Sequence, residues 1–322
     1  MVFTVSWGCE MTVTDSVNDR PVPDLVVPGH RARLILLSVL AGAAIAALWS
    51  FHFVDSVIGD NVANTLLGHD AKGTAITGVV AGAVFAFVSG LAGTFTACNV
   101  AAFGALVPLV HHGDSWRDRL RATLRPLGHL AIGMIAVSGV YGAAGALLGE
   151  RLPQLSTATV GDGLPVRLIQ SSVVFGIIGL VFIWLGLAAL RLLPDPLARL
   201  ERRHPHVRLV VLGALVGGFL IGRPYPLFHK LFAYAAEVHN PLYGAAVFIL
   251  QSLGNILVMA VLFTVMTLAA RDRFARWQSA RPGRLAAVTA VAFLVAGTFT
   301  FLYWDVRLPA MFGYGWYPTA GW

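Results

Sequence analysis

Charge is sparse in this sequence: 12% of its 322 residues are Asp, Glu, Lys or Arg, about half the quarter usual in a water-soluble domain. That deficit excludes an ordinary solvated surface. Cysteine is scarcer still, with Cys9 and Cys98 the two in the chain. Cys9 lies in a polar leader, so a framework of disulfides is excluded as the source of stability. The leader has no basic start, apolar run and small-residue cleavage site, and so does not read as a signal peptide. Met11 opens a more ordinary polar segment, "MTVTDSVNDRPVPDL"; a start there would leave Cys98 as the sole thiol. A Walker motif, a dinucleotide fingerprint and a Ser-His-Asp order are all missing. No Cys/His spacing matches a zinc pattern. The expectation is therefore no cofactor and no metal.

What the chain has is apolar length. It is 57% hydrophobic, with a mean hydropathy of +0.73. In lipid the backbone must satisfy its own hydrogen bonds, so long apolar runs mean helices. The lipid bilayer is the expected surroundings, and the fold class is an all-α polytopic membrane protein. A span needs about 20 apolar residues. Seven segments qualify: 33–54, 74–110, 127–149, 167–192, 208–236, 241–269 and 285–305. The second and fifth run long, and each has Gly or Pro near its middle, which predicts a break.

The net charge of +7 comes from arginines in short loops, which points to membrane orientation and away from nucleic acid. "RDRLRATLR" (117–125), "RLLPDPLARLERRHPHVR" (191–208) and "RDRFARWQSARPGR" (271–284) are basic. "DSVIGDNVANTLLGHDAKG" (55–73) and "ERLPQLSTATVGDGLPVR" (150–167) are not. By the positive-inside rule the N-terminus is cytoplasmic and the C-terminus outside. There Trp316, Tyr317 and Trp322 of the aromatic tail suit an outer interface.

Numbered this way, the second and fifth spans cross in opposite senses and each is followed by two more. That is the order of a 3+3 inverted repeat with an extra first helix. The expected divisions are a tail at 1–32, an extra span at 33–54, repeats at 74–192 and 208–305, and an aromatic tail at 306–322. "SGLAGTFTACN" (89–99) and "VGGFLIGRPYP" (216–226) are the paired interruptions. Such pairs are a sequence pointer to a central site.

Those two stretches also bear a resemblance. Residues 217–263, with Pro224, Pro226, Ala235, Ala236, Asn240, Pro241, Gly244, Leu253 and Gly254, resemble the second half of the CcdA/DsbD transmembrane family of cytochrome c biogenesis and thiol–disulfide relay. Residues 82–110, with Cys98 and Pro108, are similar to its first cysteine-bearing span. The resemblance spans about residues 74–305. It implies a bacterial cytoplasmic membrane, thioredoxin-like partners on either side and a redox role for Cys98. The chain departs from the family where its second cysteine would stand, at Tyr225, and Ala97 replaces the proline before the first. Thiol–disulfide exchange needs a thiolate and a disulfide sulfur, so an internal disulfide between the halves is excluded.

The candidate site is thus Cys98 as the catalytic thiol, with Asn99, Gly93, Arg223, Pro224, Tyr225 and Pro226 along a substrate or electron pathway. A cysteine in an apolar helix reads equally as a small hydrophobe with a protonated thiol. A half-helix N-terminus near Asn99 would supply the positive field that a thiolate needs. Arg223 sits beside two prolines that remove backbone donors, so its fork of donors would suit carbonyls freed by the break. Tyr225 would place a hydroxyl opposite Cys98.

Other polar residues have blander readings. Lys230 and His229 would snorkel to the outer interface, with Glu237 and His239 near it. His111, His112, His204 and His206 read as solvated, and His129 as interfacial. Gln251, Ser252 and Asn255 read as interhelical hydrogen-bond partners, and Gly139, Gly142, Gly145 and Gly149 as a close-packing face. Three functions fit these readings: a thiol-redox protein assisting maturation of an extracytoplasmic protein, a transporter of a small solute or ion, and a non-catalytic membrane subunit docked through its aromatic tail.

Overall fold

The computed structural model describes residues 30–94, 116–161, 163–279 and 283–320. Helix α1 (Arg31–Leu48) leads into a π-helical turn (His52–Gly59) and α2 (Asp60–Leu67); α3 is Val79–Ala92 and α4 Trp116–Leu148. A two-stranded hairpin follows, β1 (Thr159–Val160) against β2 (Leu164–Pro165). The chain continues through α5 (Val166–Ala189), α6 (Ala198–Arg203), α7 (Val207–Gly222), α8 (Pro226–Val238), α9 (Pro241–Ser279) and α10 (Arg284–Phe301). A second π-helical turn (Leu302–Arg307) and α11 (Leu308–Met311) close it.

Five of these helices are long and apolar enough to cross a bilayer, and α7 with α8 forms a sixth candidate bent by 84°. Their outward side chains are apolar where water would penalise them: Val140 is 73% exposed, Leu242 81% and Ile177 58%. The protein is a multi-pass, all-helical membrane protein. The second expected span, 74–110, is seen in part. Helix α3 stops at Ala92 after 14 residues, about 21 Å at 1.5 Å per residue, short of the roughly 30 Å hydrocarbon core. Its expected continuation, including Cys98 and Asn99, lies outside the described residues.

Three stretches expected to be loops are helical. Residues 117–125 are the opening turns of α4, and 271–279 the closing turns of α9. Arg, Leu and Ala are good helix formers, so the charge that ends the apolar run does not end the helix. The acid-bearing stretch after α1 is coiled into the π-turn and α2, and Gly68 ends α2 in the left-handed conformation (φ 73°).

Packing follows the small residues. α9 lies along α4 and α3, α4 along α7, and α10 along α5 and α1. In lipid, association relies on van der Waals fit, which small residues improve by letting backbones approach. Gly142 of α4 faces the Gly244 carbonyl of α9, and a Cβ there would come within 2.6 Å of Phe248. Gly90 of α3 lies directly against the Gln251 backbone of α9, where an added Cβ would overlap the carbonyl. Two buried clusters result. One joins Met134, Phe175, Phe182, Phe219 and Met259; the other joins Phe85, Phe228, Phe232 and Phe248.

Two arginines cap helix ends from a distance. A helix leaves its last carbonyls without intrahelical partners. Arg307, 4% exposed, donates from Nη1 to the Ala46 and Trp49 carbonyls at 2.7 and 2.6 Å, closing α1. The aromatic tail also folds back on α1, with Tyr317 Oη donating to the Ala43 carbonyl (3.0 Å) and the Ala320 amide to Ala47 (3.2 Å). Trp316 remains 82% exposed.

Candidate functional site

The break between α7 and α8 is written in Arg-Pro-Tyr-Pro. A residue before proline is pushed out of the helical region, and Arg223 is extended (φ −83°, ψ 115°) as its amide caps Phe219 at 2.9 Å. Proline is at home in the first turn of a helix, so Pro226 opens α8 at once. The turn leaves Arg223 buried, 8% exposed, in the angle between the two pieces.

Its guanidinium meets several partners at once. Nη1 donates to the Gly93 carbonyl at the end of α3 (2.7 Å), and Nη2 pairs with Asp55 of the first π-turn. The cation lies 4.7 Å from the Tyr225 ring centroid and 5.4 Å from that of Phe228. The expectation that Arg223 satisfies carbonyls freed by its own break is thus corrected: the carbonyl belongs to α3, 130 residues away. Two nitrogens of the fork thus serve partners on different segments, in the fixed planar geometry of a guanidinium.

Gly93 is at the same junction, where an added Cβ would lie 2.6 Å from Phe228 Cζ. Tyr225 is fully buried, and its hydroxyl is directed at Gly59, where a Cβ would meet it at 2.5 Å. That hydroxyl has no hydrogen-bond partner. Tyr225 therefore packs toward the first π-turn. Whether it faces Cys98, and the field at Asn99, lie outside the described residues.

Around this junction is a cavity of about 580 Å³. Arg223, Gly93, Pro224 and Pro226 line it, together with residues from the ends of α1 and α10 and the start of α5. It thus faces the end of the bundle where α1 and α10 finish. Its walls are largely apolar, with the aromatic rings of Trp49, Phe175, Phe228 and Trp304 among them. Gln251, Ser252 and Asn255 of α9 lie on the wall, where the sequence suggests helix-to-helix partners. Gln251 is 2% exposed and neither atom of its amide has a partner.

The charges on the lining are unequal. Among the described residues it has two guanidiniums, Arg167 and Arg223, and one carboxylate, Asp55. Asp55 is committed to Arg223, whereas Arg167, the second residue of α5, is exposed at the rim. His229 lines the cavity too. The reading of Lys230 as snorkelling is corrected. Its Nζ donates to the Ala71 (2.7 Å), Lys72 (3.0 Å) and Thr74 carbonyls, clamping the loop before α3.

At the opposite end, His206 stacks on His129 with centroids 4.0 Å apart, so these two are a packed pair. His111 and His112 lie outside the described residues. Glu237 offers its carbonyl to His239 Nδ1 at 2.8 Å. Among the described residues no three His, Cys, Asp or Glu side chains converge as metal ligands.

Sequence reasoning finds Arg223, Gly93 and the two prolines but misses Asp55, Arg167 and the aromatic walls. Asp55 carries one signal, an acid directly after an apolar span. No family model, curated protein or solved structure matches the chain.

Proposed function

We propose that this chain is a carrier of the bacterial cytoplasmic membrane that binds a small solute in its central cavity and passes it across. The observation that supports this most is the cavity itself, about 580 Å³, within the range of small-molecule sites. It lies at a broken span whose buried arginine joins two otherwise separate parts of the chain. An ionisable group at membrane depth costs about 2.5–3.5 kcal/mol on insertion scales, and groups kept there commonly mark a pathway. Broken helices meeting at a central site are a common carrier design. In this reading the N-terminus is cytoplasmic, the cavity opens to the outside, and residues 74–192 and 208–305 act as opposed repeats.

Accessibility tests it. In a Cys9→Ser, Cys98→Ser background, Ser252→Cys places a single thiol on the cavity wall, to be labelled by a membrane-impermeant reagent from each side of oriented vesicles. A carrier is labelled from both sides in turn; labelling from one side alone would refute it.

The second reading is a thiol-redox protein related to CcdA/DsbD, acting through Cys98 with thioredoxin-like partners. It is favoured by Gly93, five residues before Cys98, being held at the break by Arg223. Mixed disulfides of Cys98 trapped in intact cells, with loss of function in Cys98→Ser and tolerance of Arg223→Ala, would establish it over the carrier.

A further inference from the structure

Resting on the carrier reading, we infer that the solute is an organic anion with an apolar body: a carboxylate or similar head on an aromatic or aliphatic frame. The charge of the lining is the first reason. Two guanidiniums against one carboxylate leave a net positive charge among the described lining residues. The unmatched cation is Arg167 at the rim. Arg167 holds its charge at the water-facing mouth, and Arg223, 8% exposed, supplies a cation at depth.

The backbone adds to it. Two helices begin at this cavity, α8 with Pro226 and α5 with Arg167 in its first turn. Helix starts present unbonded amides and a partial positive charge. In α8 the first backbone bond back to an earlier carbonyl is from His229 to Tyr225 (3.0 Å), and Pro226 has no N–H to give. The amides of Leu227 and Phe228 are thus left as donors at the cavity end of the helix. The ends of α1 and α3 at the same cavity carry the opposite sign, but Arg307 caps the first and Arg223 the second, so the helix starts and the arginines still agree in sign.

The walls exclude a bare inorganic ion. Trp49, Phe175, Phe219, Phe228, Phe299 and Trp304 give the cavity an apolar girth, which would strip the hydration of a phosphate or sulfate without replacing it. An apolar body gains from those walls and an anionic head from the arginines. Binding places the head between Arg167 and Arg223, where it competes with Asp55 for the second guanidinium.

Intrinsic fluorescence reads this directly, since two tryptophans line the cavity. Full-length protein in lipid nanodiscs is titrated with benzoate, cinnamate and hexanoate. Each acid is compared with its neutral amide, with benzylamine as the cationic control and inorganic phosphate as the anion lacking an apolar body. At least one acid is expected to give a saturable change, absent from empty nanodiscs, at least tenfold tighter than its amide, benzylamine or phosphate. Arg167→Gln, at an exposed position that leaves the fold intact, is expected to weaken that acid at least fivefold. Arg167→Lys restores most of it.

Equal or tighter binding of an amide or of benzylamine overturns the anion inference and leaves the carrier standing. An unchanged acid affinity in Arg167→Gln, or no binding by any acid, overturns the inference as well. The carrier itself falls only on one-sided labelling of Ser252→Cys, so the two failures are separable.

Discussion

Arg223 donates to the Gly93 carbonyl at 2.7 Å, tying the end of α3 to the gap between α7 and α8. The same guanidinium holds Asp55, so three segments remote in sequence meet on one side chain. Each needs the other two to be in place.

That arrangement ranks substitutions at Asp55. Removing one partner of a fully buried pair costs about 3–5 kcal/mol, and Asp55 keeps 20% of its side chain exposed. Asp55→Ala is expected to cost about 2–3 kcal/mol and Asp55→Asn, which keeps an acceptor, about 1–2. The exchange Asp55→Arg with Arg223→Asp should not recover stability, because an aspartate cannot donate to Gly93. Reversible unfolding in mixed micelles gives all three values, and full recovery by the exchange would show that the Gly93 contact is unimportant.

Helix approach is tested at two glycines. Gly90→Ala puts a Cβ into the Gln251 carbonyl and must part α3 from α9. Overpacking of this kind costs about 1–3 kcal/mol. A Cβ at Gly128 of α4 meets nothing within 4 Å, so Gly128→Ala should stabilise by up to about 0.5–1 kcal/mol through helix propensity. The same unfolding assay compares them, and similar effects at the two sites would contradict the packing account.

Lys230 controls a loop. Replacing it with Met removes all three donors from the Ala71, Lys72 and Thr74 carbonyls. Charged hydrogen bonds are worth about 1.5–3 kcal/mol, so a local loss of about 2–3 kcal/mol is expected, roughly 30- to 160-fold in opening. Hydrogen exchange should show it in the 71–74 amides, with the core of α9 unchanged. Lys230→Arg should rescue poorly, since a planar fork does not match three carbonyls gathered round one nitrogen.

The stacked histidines give a pH dependence. Desolvation, then the neighbouring charges of His129 and Arg125, hold His206 below its ordinary value of 6.5. As pH falls the unfolded chain therefore takes up this proton first, and stability is lost as pH drops through that value. Between pH 7.5 and 5.5 the melting temperature should fall more in the wild type than in His206→Gln. Equal slopes would show that the pair does not titrate as described.

The sequence and the structure agree most where local chemistry decides. The Arg-Pro-Tyr-Pro break follows from what proline does to its neighbours, and the 84° bend is where the residues predict it. Agreement fails at the basic stretches 117–125 and 271–279, because hydropathy marks where lipid ends and says nothing about where a helix does. Asp55 is missed because its partner lies 168 residues on. Tyr225 is recognised as special, but the direction of its hydroxyl depends on Gly59 of another segment. Long-range pairing of this sort leaves no periodic trace.

Arg307 lies 258 residues beyond Trp49, to whose carbonyl it donates. During synthesis α1 is therefore made long before the residue that seals it, its end open until the chain has reached Arg307. A ribosome stalled before Arg307 releases a product with that first helix uncapped.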